Sequence, residues 1–448
     1  MTAPADHALL LWTAAAVVGL VVLIAWARLN AFVALTLTSL FVGAVSGMPL
    51  GSVARAFQEG VGNTLGFIAI VIGLGTIVGK MLAESGGAEV VAERIVRWFG
   101  TRHVHWAIAL VAFVVGLPVF FSVGLVLLAP IMFTLARRER LPLLFIGLPL
   151  VTGLSAAHAL VPPHPGPLAA IDRLGADMGR TIAWSLAIAV PAALLVGPPF
   201  AWLIGRRIAT SPGPLATELS AVEAGRLRPG FGLTLFAILL PIGLMLVGTG
   251  AALIWPPGST PRVLAEFVGS PVVAMLVAVL VAFYVFGIGC GRDRHDLLRF
   301  SEECLAPVAS LLLVVGAGGG FGRVLDVAGV GSAIQGVVSG LRLSPLLLGW
   351  VIAALLRVAV GSATVAIVTA AGIMAPVAAA VPGTNIELLV IALGAGSIVA
   401  SHVNDGGFWL VKEYFNLSVV QTLSTWTVIE TAFSIVALCL VLVASLIA

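Results

Sequence analysis

Gly73-Leu-Gly-Thr-Ile-Val-Gly-Lys80 returns later in the chain as Gly316-Ala-Gly-Gly-Gly-Phe-Gly-Arg323. Gly73, Gly75, Gly79, Lys80, Leu82 and Gly86 fall on Gly316, Gly318, Gly322, Arg323, Leu325 and Gly329 at one constant offset. Further out, Pro118 of Gly116-Leu-Pro-Val-Phe-Phe-Ser122 falls on Gly361 of Val360-Gly-Ser-Ala-Thr364. His158 then falls near His402, and Thr181 near Thr422. Order and spacing persist over roughly a hundred residues, which marks an internal duplication rather than two glycine-rich segments agreeing by chance.

Both copies sit in apolar surroundings. Of the 448 residues, 60% are apolar and 10% charged, and the mean hydropathy is +1.15. A soluble domain carries about 25% charged residues. The charges here are too few to cover soluble surfaces, which excludes a soluble enzyme, a disordered chain and a nucleic-acid binder. The apolar runs are continuous rather than alternating, which excludes an outer-membrane barrel. The fold class is therefore an all-α polytopic membrane protein. Cys290, Cys304 and Cys439 form no close pair, so neither a disulfide frame nor a metal site is indicated.

A helical span needs about 20 apolar residues. Spans are expected near 8–26, 31–50, 106–136, 141–161, 181–204, 231–254, 264–289, 345–377, 386–403 and 421–447. The first, Leu9 to Trp26, lacks a basic leader and reads as a true span rather than a signal peptide. The stretches 56–99 and 301–341 are each split by a glycine cluster carrying a charge. Broken backbone at membrane depth survives only where protein or a water-filled cavity covers it. Both are expected to be re-entrant hairpins.

Each repeat then has about five spans and one hairpin. An odd number of crossings turns the second copy upside down, giving two inverted repeats with broken helices at the midplane, the architecture of secondary transporters. The expected units are 1–204, with hairpin 56–99, and 231–448, with hairpin 301–341. The linker 205–230 carries Ser211-Pro-Gly-Pro214. With both termini outside, most of the 23 basic residues fall in inner loops, among them Arg137, Arg138, Arg206 and Arg207; Arg94, Arg97 and Arg102 run the other way. The termini are accordingly expected on the periplasmic side. No GxxxxGK[ST] motif is present, which argues against a built-in ATPase. The absence of HExxH and GxSxG leaves membrane proteases and esterases without their usual constellations, and no catalytic residue or cofactor is expected.

Several polar residues lie at membrane depth. Lys80 and Arg323 either attract an anion together with helix N-termini or pair with Glu84 and Asp326 on their own helix faces. Arg357 is either a bidentate carboxylate clamp or half of an ion pair, for instance with Glu430. Ser122, Ser362 and Thr364 flank the two expected helix breaks, where hydroxyls either bind a polyhydroxy substrate or satisfy freed backbone groups. Thr76 and Asn404 are further candidates for substrate hydroxyls. His158-Ala-Leu-Val-Pro-Pro-His-Pro-Gly-Pro167 cannot be regular helix. Its counterpart is Ser401-His-Val-Asn-Asp-Gly-Gly-Phe-Trp409. His158, His164, His402, Asp405 and Glu84 are the candidate proton carriers, against the plainer reading of buried structural groups.

These two segments, with Gly79-Lys-Met-Leu-Ala-Glu-Ser-Gly-Gly-Ala88 and Thr425-Trp-Thr-Val-Ile-Glu-Thr431, resemble the gluconate permease family over nearly the whole chain. That family is similar to the wider ion transporter superfamily of inverted-repeat carriers. The resemblance implies proton-coupled uptake of gluconate or a related sugar acid across a bacterial inner membrane, by homodimers with a scaffold and a moving part. Carriers of other small hydroxy or amino acids, such as D-serine, look alike at these motifs. Sodium coupling is the rival mode; Lys80 and Arg323 at the glycine clusters would repel a nearby Na⁺. A membrane enzyme would need a catalytic pair, for which His158 with Asp405 is the one candidate. A passive channel would show no saturation.

Overall fold

The computed structural model describes residues 4–205, 208, 227–330, 333 and 344–447. Among them every regular element is helical. The first part runs α1 (Pro4–Ala25), α2 (Ala31–Val45), α3 (Leu50–Glu84), α4 (Gly87–Phe99), α5 (Val104–Gly116), α6 (Phe121–Arg138), α7 (Leu143–Leu160), α8 (Pro165–Leu174) and α9 (Met178–Leu203). The second runs α10 (Phe231–Ile254), α11 (Thr260–Gly269), α12 (Pro271–Ala282), α13 (Arg294–Leu305), α14 (Ala309–Val327), α15 (Pro345–Val360), α16 (Ala363–Ala380), α17 (Ile386–Gly396), α18 (Gly406–Tyr414) and α19 (Val428–Ala444). Residues 206–207, 209–226 and 334–343, which hold most of the expected linker and the end of the second expected hairpin, lie outside the described residues.

Among the described residues ten helical runs are long and apolar enough to cross a membrane, or eleven if the pair Gly87–Phe99 and Thr101–Gly116, bent by 107°, makes one. This multi-pass helical fold is the expected class, but the individual crossings are distributed differently. Leu50–Glu84 and Arg294–Val327 are among the ten, whereas Ala31–Val45, Pro345–Val360 and Ile386–Gly396 are shorter. The expected spans 106–136 and 345–377 are each two helices, interrupted at residues 117–120 and at Gly361–Ser362. Two further interruptions, at 161–164 and 397–405, fall where the proline-rich and Asn-Asp-Gly-Gly segments lie.

The expected breaks at the glycine clusters are absent. Residues 73–80 lie inside α3 and residues 316–323 inside α14, both continuous. The chain turns instead at Ser85–Gly86, where Gly86 has φ of 72°. The glycines serve close approach. A Cβ on Gly60 would lie 2.5 Å from the Gly319 carbonyl oxygen and 2.7 Å from Gly320 Cα. One on Gly320 would lie 2.6 Å from the Phe57 ring, and one on Gly79 would meet the Pro118 carbonyl at 2.8 Å. Without a hydrophobic force between helices in lipid, such small-residue contacts are a main source of cohesion.

The element order repeats. The break between α5 and α6 matches that between α15 and α16, and the break between α7 and α8 matches that between α17 and α18. The central helices are α7, buried almost all round between α5 and α9, and α17, between α15 and α19. Helices that are apolar on every side belong in such interiors. Side chains of Asp177, Asn385 and Asp293 accept from the first-turn amides of α9, α17 and α13 and so fix three helix starts.

Candidate functional site

Three of the four interruptions converge on one cavity of about 680 Å³. Its walls are Phe120–Ser122 at the start of α6, Gly361–Thr364 at the start of α16, Asn404–Gly407 at the start of α18, Ser155 and His158 of α7, Arg357 of α15, and Trp426 and Glu430. Three half-helix N-termini therefore border the space, and α6 carries no side-chain cap of its own. Such termini offer unpaired N–H groups and a partial positive charge.

Arg357 sits in the last turn of α15, where a cation complements the helix end. It is 3% exposed. Nη2 pairs with Oδ2 of Asp405, while Nε and Nη1 are buried without a hydrogen-bond partner among the described residues. One edge of the guanidinium is thus engaged and another is open. The alternative of an ion pair is realised, but with Asp405 rather than Glu430.

Asp405 is held from three sides. Besides Arg357, the Ser401 hydroxyl donates to Oδ2, and the Gly407 amide donates to Oδ1 at 2.9 Å, capping α18. Ser401 in turn accepts from the Trp426 indole at 2.7 Å, and its carbonyl accepts from the Thr427 hydroxyl. Trp426 lies in a π-bulge, Leu423–Thr427, that leads into α19; such bulges recur at functional sites. Gly361, at φ of 79°, ends α15, and a Cβ there would lie 2.7 Å from the Asn404 side chain. Asn404 donates to the Val358 carbonyl at 2.8 Å, which satisfies a group freed by the break. Ser362 likewise accepts from Val365 N at 3.4 Å.

Of the residues singled out from sequence, Ser122, Arg357, Ser362, Thr364, Asn404, His158 and Asp405 line this cavity. Thr76 and His164 do not. They border a separate void of about 20 Å³. The Thr76 hydroxyl donates to Ile72 O at 2.8 Å, and His164 Nε2 lies 2.9 Å from Gly116 O. The His158 and His164 rings are 5.0 Å apart, and His158 Nδ1 has no partner among the described residues. His402 Nδ1 is bonded to Ala400 O at 2.8 Å.

Lys80 and Glu84 are also elsewhere. Lys80 bonds Glu84 at 2.9 Å and Glu303 of α13 at 3.2 Å, beside the Phe300 ring. Arg323 pairs with Glu59 at 3.5 Å rather than with Asp326, which instead takes Arg173 of α8 at 2.7 Å. Part-exposed pairs of this kind contribute about 0–1 kcal/mol. Lys80→Ala is therefore expected to change the substrate concentration for half-maximal uptake by less than about threefold (roughly 0.6 kcal/mol). A loss of tenfold or more in uptake assays would return Lys80 to the binding site.

Sequence reasoning treated Glu430 only as a cation's partner and passed over Ser155 and Trp426. The available signal was a carboxylate inside an apolar run, four residues after a tryptophan in the Thr425–Thr431 motif.

A family model for the GntP family permeases matches residues 8–447. The gluconate permease of Pseudomonas aeruginosa is 46% identical, over 99% of this chain and 98% of its own length. The high-affinity gluconate transporter of Escherichia coli K12 is 42% identical, over 93% and 94%. Among solved structures, the YdaH transporter of Alcanivorax borkumensis superposes with a TM-score of 0.60 at 18% identity, covering 93% of this chain and 97% of that one. That last likeness concerns the fold alone.

Proposed function

The chain belongs to the GntP permease family, and from that membership we propose that it is a proton-coupled symporter bringing gluconate or a related small sugar acid across the bacterial inner membrane. It is a multi-pass membrane permease and not an enzyme. The observation that carries the substrate class is the open guanidinium edge of Arg357, buried among three half-helix N-termini. A carboxylate binds such an edge through two parallel hydrogen bonds. The hydroxyls of Ser122, Ser362 and Thr364 and the amide of Asn404 line the rest of the cavity and suit a polyhydroxy chain. The volume is in the ordinary range for small-ligand sites, about 300–1,000 Å³.

The gluconate-transporting relatives support the sugar-acid assignment. In this reading the two repeats are inverted, the units are 1–204 and 231–448, the termini are periplasmic, and the protein works as a homodimer. The coupling proton travels on a group of the cavity, with Asp405 and His158 as the sequence-derived candidates. Alternating access comes from one bundle moving against the other about the broken helices.

The test is uptake of labelled gluconate into proteoliposomes, with an inward proton gradient imposed and sodium replaced by choline. Concentrative, saturable uptake that a protonophore abolishes is the expected result. No uptake by folded protein would remove gluconate and move the assay to glycerate, ketogluconates, uronates and D-serine. Uptake that needs sodium would overturn proton coupling.

A further inference from the structure

We infer that Glu430 is the proton-binding carboxylate of this carrier, and that it acts by competing with the substrate carboxylate for the open edge of Arg357. The inference rests on the proton-coupled reading above. Glu430 is 1% exposed and lines the same cavity as Arg357. Its Oε1 is buried without a hydrogen-bond partner among the described residues, and no cation lies within ion-pair distance of it there. Ser155 of α7 is its polar neighbour. A buried carboxylate with one oxygen unsatisfied and no cation paired to it is costly as an anion. The open Nε and Nη1 of Arg357, a lining residue of the same cavity, can supply the missing donors.

The charged and titratable groups facing Glu430 are few. Arg357 comes from α15, Asp405 from the segment before α18, and His158 from α7, with His164 behind it. The Asp405 carboxylate is already engaged at both oxygens. Arg357 and Ser401 donate to its Oδ2 and the Gly407 amide donates to its Oδ1. Glu430 instead has an oxygen without a hydrogen-bond partner among the described residues and lines the cavity.

The cycle balances in charge. With Glu430 ionised, its carboxylate takes the Arg357 edge and the cavity refuses the substrate. A proton from outside binds Oε1, Glu430 becomes neutral, and the guanidinium edge is released to the substrate carboxylate. One proton and one anion then cross together. After the substrate leaves inside, the proton dissociates from Oε1 to the cytoplasm and the carboxylate returns to Arg357. Substrate affinity of the intact protein should fall by up to about tenfold per pH unit on the alkaline side of the transition.

The experiment compares the intact protein with Glu430→Gln and Glu430→Asp in proteoliposomes. Glu430→Gln should bind gluconate with pH-independent affinity and exchange it across the membrane, yet lose accumulation driven by the proton gradient. Glu430→Asp should keep driven accumulation with a shifted pH profile. Proton-driven accumulation by Glu430→Gln at the intact protein's level and pH profile would overturn the inference while leaving proton-coupled gluconate uptake standing. Absence of driven uptake in the intact protein would instead fail the parent reading. If neither variant folds, the readout is proton uptake by the intact protein on adding gluconate in weak buffer. About one proton per gluconate above the transition supports the inference, and none overturns it.

Discussion

Arg357→Gln is expected to abolish saturable uptake, with the affinity for a carboxylate substrate falling by a factor of 100 or more. Two losses combine. The substrate loses a charge-assisted, bidentate partner, whose hydrogen bonds are each about twice as strong as neutral ones. Asp405 meanwhile keeps its Ser401 and Gly407 donors but loses its paired cation, and breaking one side of a buried pair costs up to about 3–5 kcal/mol. The two are separable. Arg357→Gln with Asp405→Asn should recover thermal stability, because no charge is left unpaired, but should not recover uptake. Arg357→Lys should also fail to restore affinity, since an ammonium cannot hold Asp405 by one edge and present a planar second edge to a ligand. Uptake kinetics and melting temperature in detergent give both readouts. Normal affinity in Arg357→Gln would dismiss the clamp.

The other large effect is structural. Gly60→Leu is expected to remove nearly all monodisperse, folded protein. The new Cβ would lie 2.5 Å from a backbone carbonyl of Gly319 and 2.7 Å from Gly320 Cα, where no side chain can move aside. Overpacking a tight contact costs about 1–3 kcal/mol even when neighbours adjust, and here α3 and α14 must separate. The control lies on the same helix: Gly62 and Gly66 have no atom within 4 Å of an added Cβ. Gly62→Leu should keep the protein folded and, by helix propensity, slightly steadier. Size-exclusion profiles after detergent extraction distinguish the two. Equal profiles would mean that the α3–α14 seam tolerates far more separation than its geometry indicates.

Much of this architecture is legible in the sequence because proline and glycine punctuate it. Pro118, the run Pro162-Pro163-His164-Pro165 and Gly361 each mark an interruption that the structure contains. The glycine clusters mislead because glycine has two uses in lipid: it ends helices and it lets them touch. Which one applies depends on the facing residue. For Gly60 that residue is Gly319, far away in sequence and visible only once α3 and α14 are packed. Ion pairing fails for the same reason. Glu84 is near Lys80 in sequence and is a partner, but Glu303 and the exchange of Arg323 for Arg173 beside Asp326 are tertiary facts. The cavity was half legible. Arg357, Ser122, Ser362, Thr364, Asn404, His158 and Asp405 stand at breaks or at membrane depth, where polar residues are conspicuous. Glu430 was conspicuous too, but its importance depends on Arg357 being engaged by Asp405, which no spacing rule reveals.

The wide turn at Leu423–Thr427 also sets an angular phase. A five-residue turn holds one residue more than the α-helix around it, so the helix beyond it is rotated by about 100° from where an uninterrupted one would carry it. Trp426, inside that turn, and Glu430, one turn further on and beyond it, both line the cavity, while Thr422 before the turn and Thr425 within it hold their own backbone through bonds to Ser418 and Gln421. The same segment thus behaves as a spline with two keyed faces: one locked to its own entry turn, the other indexed to the cavity. Loss of a single residue from the wide turn would leave the helix intact and its apolar length nearly unchanged, yet turn the carboxylate out of line with the guanidinium it faces.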